Sequence, residues 1–509
     1  MILIDTATLV LHSFPSCDQR YAILSHTWGP AAEEVTYQEM IAPTRSESTI
    51  TKPGYQKIKK TCEIARSNYN LPWAWIDTCC IDKTSSADLS EAINSMFRWY
   101  REAWVCFAYL SDMDEDPSAF LHSRWFSRGW TLQELIAPKY LIFFDCGWTF
   151  RGTKTTMTTS ISSITGIPSE ILDNSVELDE IPVAVRLSWA SRRETTRSED
   201  LAYCLLGIFD VNMPMLYGEG PKAFARLQEA ILSQSADMSL FLWTDLQTSQ
   251  QYTGLLATAP VCFREMRLAK AEPSFTQREY YPTNRGIRLK LGLAWDPTTG
   301  LAILPLKHSI GNNGKSVGVY LRRVGLDQFV RAQPQEHCLV KTEKAYAVFT
   351  VAKSVTKSQS DAILSNVLKI SVPRDIYVEK EEPRGSWDPE NGLLHASYTG
   401  TFLGFMKFES ANYRPFTLVC CFQNRHWSTS VVSGERWQEI KSTFYPYYKE
   451  NFGLLTQEDR ARFTEIGYID ASNKTKGISI RFRGGSSTEP PSILMRTVDA
   501  MRSTPQVFF

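Results

Sequence analysis

The chain contains no apolar run long enough to cross a bilayer, which takes about 20 such residues in a helix. Its first ten residues, MILIDTATLV, lack the basic start of a secretory leader and are interrupted by Asp5. Neither sign of charge is in excess: 55 Lys and Arg balance 55 Asp and Glu, with no long basic run. That argues against a nucleic-acid or anionic-membrane partner. The 11 Cys include no CxxC pair, which argues against a zinc framework. Cys79-Cys80 and Cys420-Cys421 are adjacent pairs that suit buried thiols, and the expectation is a reduced, cytoplasmic protein. With only 7 scattered His and neither an HExxH nor a GxSxG motif, metalloenzyme and hydrolase-triad chemistry have no support, and no metal ligands are expected. GNNGKS (311–316) fails the phosphate-loop spacing, because Ser309 stands where the first Gly must be. It reads as a hairpin turn between two β-type runs. No internal repeat is visible, which disfavours a propeller or solenoid.

What is present is material for large cores. The chain has 509 residues, 43% of them hydrophobic, with 14 Trp, 21 Tyr and 26 Phe, so two or three globular domains are expected. Residues 1–150 alternate apolar strands with amphipathic helices. RYAILSHTW (20–28), LPWAWIDTCCI (71–81), WVCFAYL (104–110) and YLIFFDC (140–146) read as strands with the loops that follow them. GYQKIKKTCEIARSNY (54–69) and DLSEAINSMFRWYREA (88–103) read as helices, the second opening on an Asp88/Glu91 capping box. This alternation predicts an α/β domain built on a parallel sheet covered on both faces. Residues 151–245 read as a mostly helical extension. Thr196 and Glu199 stand at capping-box spacing there, and Pro221 opens a helix with a Phe224, Leu227, Ile231, Leu232 stripe. From 246 to 509 short β-type runs punctuated by Pro, Gly, Asn and Ser predict an antiparallel, sandwich-like domain of unknown role.

In a parallel sheet the ligand crevice lies at the carboxyl ends of the strands. The residues leaving those ends include Ser25, His26 and Trp28 after the first strand, and Asp77 and Asp82 after the second. Asp77 and Asp82 serve equally well as turn and cap residues. The stretch SRGWTLQELIAP (127–138) places Glu134 one helical turn after Trp130. Two structural readings compete for Glu134. It closes a capping box with Thr131, or it faces solvent. Pro138 ends the helix near Ala137, so a cap at Thr131 leaves less than two turns; a start nearer Ser127 puts Glu134 in the helix interior.

Five blocks carry a family resemblance: YAILSHTWG, GYQKIKKTCEIAR, WAWIDTCCIDK, SEAINSMFRWYREA and RWFSRGWTLQELIAP, in that order. They resemble the fungal heterokaryon-incompatibility (HET) domain. The likeness continues through SWASRRETTRSEDLAYCLLGIFDVNMPMLYGEGPKAFARLQEAI (188–231) and more weakly to about residue 291. The family is associated with non-self recognition between fungal strains and with regulated cell death after cell fusion. Many members add a nucleotide-binding module and WD40 repeats, which this sequence lacks; its sensor would be the β-rich region or a separate upstream protein.

HET domains are remotely similar to Toll/interleukin-1 receptor (TIR) domains, which implies a flavodoxin-like sheet. SRGWTLQEL resembles the SRWCLDEL-like segment of plant-type TIR domains, whose Glu is the catalytic residue of NAD+ cleavage. The resemblance therefore implies Glu134 as the catalytic carboxylate and Trp130 as a shaper of the pocket. Ser25, His26, Trp28, Asp77 and Asp82 would line the crevice. NAD+ would be a substrate, with no bound cofactor, and homo-oligomeric assembly would accompany activity. One carboxylate suffices for such a reaction. Nicotinamide leaves as a neutral base, whereas the alkoxide of an ordinary glycoside must be protonated by a second acid. The alternative is a non-enzymatic signalling module that acts by assembly or partner recruitment.

Overall fold

The computed structural model describes residues 1–442, apart from 16–17, 273–278, 297–298, 300, 312–314, 326, 341–345, 364–365, 385, 390, 397–401, 412–414, 424–425, 435–436 and 439–440. Beyond these it describes 464–469, 475–483 and 490–498. The chain forms two compact units. The first comprises Met1–Leu246, Leu256–Gln277 and Leu306–Val317; the second comprises Gln247–Leu255, Arg278–Pro305 and Gly318–Phe509.

The first unit is mixed α/β. Its sheet contains β1 (Ile2–Asp5), β2 (Leu11–Ser13), β3 (Tyr21–His26), β4 (Trp73–Trp75), β5 (Val105–Tyr109), β6 (Leu141–Phe144) and β7 (Phe150–Thr153). Their spatial order is β2-β1-β4-β3-β5-β6-β7. β4, β3, β5 and β6 run parallel, while β1, β2 and β7 complete the two edges antiparallel. All six residues of β3 are buried, as expected of a central strand covered on both faces. The order reverses at β3, which lies between β4 and β5, so a crevice is expected outside the carboxyl ends of β3 and β5.

Two short helices, α1 (Tyr37–Ile41) and α2 (Glu47–Ile50), precede the first crossover helix, α3 (Pro53–Tyr69). α3 has Pro at its first position and ends at Asn70, which adopts a left-handed conformation. Leu71 N–H donates to Ala65 O and Asn70 N–H to Arg66 O, which satisfies carbonyls of the last turn. The second crossover helix, α4 (Ser86–Glu102), starts earlier than the sequence suggests. Ser85, not Asp88, is the cap, and Asp88 N–H donates to Ser85 Oγ at 3.3 Å. The buried face of α4 carries Ala92, Ile93, Met96, Trp99 and Tyr100. It is fastened to β3 by hydrogen bonds from Tyr21 Oη to Trp99 O (2.5 Å) and from Tyr100 Oη to Leu24 O (3.0 Å).

Further helices follow: α5 (Thr131–Ile136), α6 (Thr158–Thr165), α7 (Ser169–Leu172), α8 (Val183–Ser188), α9 (Asp200–Tyr203) and α10 (Lys222–Gln234). α10 begins after Pro221 and buries Phe224, Leu227, Ile231 and Leu232, the stripe read from the sequence. The capping box expected at Thr196 and Glu199 is not formed. α9 is only four residues long, and the Glu199 carboxylate instead accepts Gly218 N–H (2.7 Å) and Gly220 N–H (3.1 Å), bracing a distant loop.

The second unit is β-rich. One of its sheets includes, in spatial order, Tyr280–Thr283, Gly286–Gly292, Tyr346–Val351 and Gln328–Ala332. The strands Ala302–Ile310 and Ser316–Arg323 flank the GNNGKS turn, whose residues 312–314 lie outside the described residues. A six-stranded and a four-stranded sheet share one core, which includes Leu368, Ile370, Leu394 and Ile493 from one and Met406, Phe408, Leu418 and Phe422 from the other. Pairing is mostly antiparallel, with Gln328–Ala332 against Tyr346–Val351 and Val367–Ser371 against Ser492–Val498 as parallel exceptions.

Candidate functional site

The last two residues of β3 point to opposite faces of the sheet, as successive strand residues must. On one face Ser25 Oγ donates to Glu134 Oε2 at 2.5 Å and accepts from Trp125 Nε1 at 2.8 Å. Ser25, Trp125 and Glu134 are all buried, Glu134 to 4% exposure. Tyr100 adds a hydroxyl within hydrogen-bonding reach of the Glu134 carboxyl. Ser25 bonds to Trp125 and Glu134, not to a histidine, so no nucleophilic triad forms around it.

Both structural readings of Glu134 are overturned. α5 does begin at Thr131 and is only six residues long, so the start nearer Ser127 is also incorrect. The reason is tertiary. Gly129 N–H donates to Glu194 O (2.9 Å) and Glu194 N–H to Ser127 O (2.7 Å), which pulls residues 127–129 out of the helix. Thr131 does not cap: its Oγ1 donates to Trp125 O and Arg128 O and accepts from Arg193 Nη1. Every residue of α5 is buried, so Glu134 does not face solvent.

On the other face His26 sits between two carboxylates. Its Nε2 lies 3.9 Å from Glu34 Oε2 and its Nδ1 lies 4.0 Å from Asp77 Oδ1. Neither ring nitrogen has a hydrogen-bond partner among the described residues, and Asp77 Oδ1 has none either. Glu34 is tied down by Lys57 Nζ (2.5 Å) and Gly29 N–H (2.8 Å). Trp28 covers this group: its Nε1 donates to Asp77 Oδ2 at 2.8 Å, and Lys83 Nζ stands 3.8 Å from its ring centroid. Trp28 is 48% exposed and forms the outer lip.

Burial dominates the electrostatics. It pushes the Glu134 carboxyl from its ordinary 4.5 up to about 8, and the Asp77 carboxylate adds to the shift; Ser25, Tyr100 and Arg193 oppose it. Asp77 is raised too, by burial first. His26 is held well below its ordinary value by burial, then by Lys57 and Lys83, so its ring is neutral and its carboxylate neighbours are not ion pairs. At neutral pH Glu134 is therefore a protonated acid, and a cation placed beside it would favour its ionised form.

Two of the residues expected at the crevice have partners outside the Ser25–Glu134 network. Asp82 accepts from Thr84 N–H and Oγ1 and from Gln38 Nε2, which makes it a turn residue. The Trp130 indole stands within hydrogen-bonding reach of the Asp200 carboxyl, and Trp130 is not the Trp that bonds to Ser25. Trp125 holds that place. It stands in the same sequence block, in the 3-10 turn Arg124–Ser127, and nothing in the local pattern distinguishes it from Trp130. Among the described residues no group of three or more His, Cys, Asp or Glu could hold a metal ion, and no helix is long and apolar enough to cross a membrane.

The family model described as "Heterokaryon incompatibility protein (HET)" matches residues 21–121. Residues 21–121 carry a HET domain. The matched segment takes in Ser25, His26, Trp28, Asp77 and Asp82 and ends before Glu134. Over 222 residues the chain is 47% identical to vegetative incompatibility protein HET-E-1 of Podospora anserina, a match covering 42% of this chain and 16% of that protein. This HET-domain chain thus spans only 16% of the relative's length. Among solved structures, the Xerocomus chrysenteron lectin XCL matches 26% of this chain and 96% of its own at 16% identity, with a TM-score of 0.19. A methionine-substituted form of that lectin matches 26% and 95% at 17% identity and the same score. A score that low bears on neither fold nor function.

Proposed function

We propose that this HET domain is an effector of vegetative incompatibility and cell death that acts, in the manner of TIR domains, by cleaving the N-glycosidic bond of NAD+. The observation that carries the reading is a single buried carboxyl, Glu134, hydrogen-bonded to Ser25 at the carboxyl end of the strand where the sheet order reverses. Numbered along the chain, the parallel strands run second, first, third, fourth, which is the flavodoxin-like order; such sheets bind ligand at the switch between first and third. Breaking the ribose C1′–N bond sends its electron pair to the pyridinium nitrogen, so nicotinamide leaves neutral without a proton. Ionised Glu134 stabilises the oxocarbenium-like charge, water adds at C1′, and its proton goes to solvent. Ser25 fixes the carboxyl, Tyr100 supports it, and Trp125 helps to exclude water. Trp28, His26 and Asp77, on the opposite face of the same strand end, would bound the crevice there.

The test is incubation of the purified full chain with NAD+ at high protein concentration, with chromatography of nicotinamide and ADP-ribose or a cyclised product. Turnover by wild type and its loss in Glu134→Gln are expected. Equal turnover in both would refute the assignment. The 4% exposure of Glu134 favours a second reading, in which the carboxyl is structural and the domain signals by self-assembly or by recruiting an upstream sensor. An absence of turnover from assembled wild type, with toxicity in cells unaffected by Glu134→Gln, would establish that reading instead.

A further inference from the structure

The segment SWASRRETTRSE (188–199) pairs through the backbone of Glu194 with the loop before α5. Arg193 enters from that pairing and is 6% exposed. Its Nη1 donates to Arg128 O (2.8 Å) and Thr131 Oγ1 (2.9 Å), while its Nη2 has no hydrogen-bond partner among the described residues. α5 has no side-chain cap of its own, so Arg193 ties its first residue to the preceding turn. At the other end the buried Lys154 Nζ donates to Pro138 O (2.5 Å) and reaches Leu135 O and Ile136 O at 3.4 Å. A helix too short to hold itself is thus gripped at both ends by buried cations. Arg193 holds Thr131, three residues before Glu134 on the same short helix, and its positive charge favours the ionised form of the Glu134 carboxyl.

We propose that Arg193 is a positioning residue: it fixes α5 and sets a buried positive charge behind the Glu134 carboxyl, so that segment 188–199 completes the site. The catalytic half of this proposal rests on Glu134 being the reacting group. The groups facing Glu134 are Asp77 after β4, Tyr100 on α4, Cys106 on β5, Cys204 after α9, Ser25 on β3 and Arg193. Arg193 is the only cation among them, so its loss leaves only the Ser25 and Tyr100 hydroxyls to oppose the upward push of burial and Asp77 on Glu134. A purely structural anchor would stabilise α5 without altering how Glu134 ionises. Lys is not equivalent here, because a point charge cannot reproduce the planar guanidinium's contacts.

The experiment compares wild type, Arg193→Lys and Arg193→Gln, each with and without Glu134→Gln, in urea unfolding from pH 5 to 10. The stability difference made by Glu134→Gln levels off at the pH where native Glu134 is fully ionised. In the Arg193→Gln background that point should move up by roughly one pH unit or more, and in Arg193→Lys it should stay near the wild-type position. An unmoved levelling point in Arg193→Gln would overturn the charge role, whether or not NAD+ is cleaved. Hydrogen exchange at the amides of 131–137 should accelerate in Arg193→Lys at least tenfold; unchanged exchange would overturn the clamping role even if Arg193→Gln fails to fold. Where wild type turns over NAD+, kcat should fall at least tenfold in Arg193→Gln with KM within about twofold. Absence of turnover in wild type sinks the NAD+ reading alone, because the unfolding and exchange measurements still decide Arg193.

Discussion

Replacing Glu134 by Gln removes an ionisable group that the fold holds neutral, and the energetic consequence can be worked out. Burial and the Asp77 carboxylate move Glu134 from 4.5 to about 8 in the native state. The unfolded chain ionises near the ordinary value. Between these two values the native state binds more protons than the unfolded state, so stability falls as pH rises through that window. At about 1.4 kcal/mol per unit, the wild-type carboxyl costs about 5 kcal/mol above pH 8 and nothing well below pH 4.5. Gln keeps the shape and an acceptor for Ser25 Oγ–H and stays neutral throughout. Wild type and Glu134→Gln should therefore lie within about 1 kcal/mol of each other at pH 5 and separate by several kcal/mol, with the variant more stable, by pH 8.5.

Urea titrations at half-unit pH steps, followed by tryptophan fluorescence, measure this directly, since Trp125 is hydrogen-bonded to the same Ser25. His26 has the opposite sign. Its native value is depressed, so the unfolded chain takes up a proton below about 6.5 that the native state refuses, and stability falls as pH drops. That contribution is common to both proteins and cancels in their difference. Parallel stability curves from pH 5 to 9 would refute the buried, neutral Glu134 and with it the electrostatic account of the site.

Ser25→Ala removes the donor to Glu134 and leaves the buried Trp125 N–H unpaired, which should cost roughly 1–3 kcal/mol in the urea midpoint. Asp82→Ala touches only a turn, so its stability should stay within about 1 kcal/mol of wild type and its NAD+ turnover should match wild type. Gly207→Ala would place a Cβ 2.0 Å from Phe97 Cβ and should destabilise by roughly 1–3 kcal/mol, seen as a lower thermal midpoint.

The parts of the fold legible in the sequence are those whose signal is local. The strands around Tyr21–His26, Val105–Tyr109 and Leu141–Phe144 are near-continuous apolar runs, and α3, α4 and α10 carry long helical stripes. The antiparallel strands β1, β2 and β7 are three or four residues long, too short for a periodicity to mark them. The errors at the site share one cause. Whether Trp125 or Trp130 meets Glu134, and where α5 begins, is decided by residues 127–129 pairing with Glu194, more than 60 positions away. No pattern within SRGWTLQELIAP encodes that pairing. Glu199 fails as a cap for the same reason: its partners are the amides of Gly218 and Gly220. Asp77 and Asp82 look alike in sequence, yet Asp77 lies under Trp28 while Asp82 is consumed by its own turn.

A neutral Glu134 also predicts how the site should discriminate among ligands. A carboxyl that ionises at about 8 must give up its proton before it can stabilise positive charge. A pyridinium cation set against it pulls the ionised form down in energy, so binding and proton release are coupled. If the cation binds only the ionised form, its affinity should rise about tenfold per pH unit between pH 6 and 8 and then level off. Neutral nicotinamide supplies no such charge and should bind with no comparable slope. The comparison is between the N-methylnicotinamide cation and nicotinamide, by calorimetry in two buffers of different ionisation enthalpy, which also counts the protons released. The cation should release close to one proton at pH 6.5, and Glu134→Gln should abolish both the release and the slope. Equal pH dependence for the two ligands would mean that Glu134 does not face the charged ring. The carboxyl would then be a buried structural acid, and the domain's activity would have to lie in what its surface recruits.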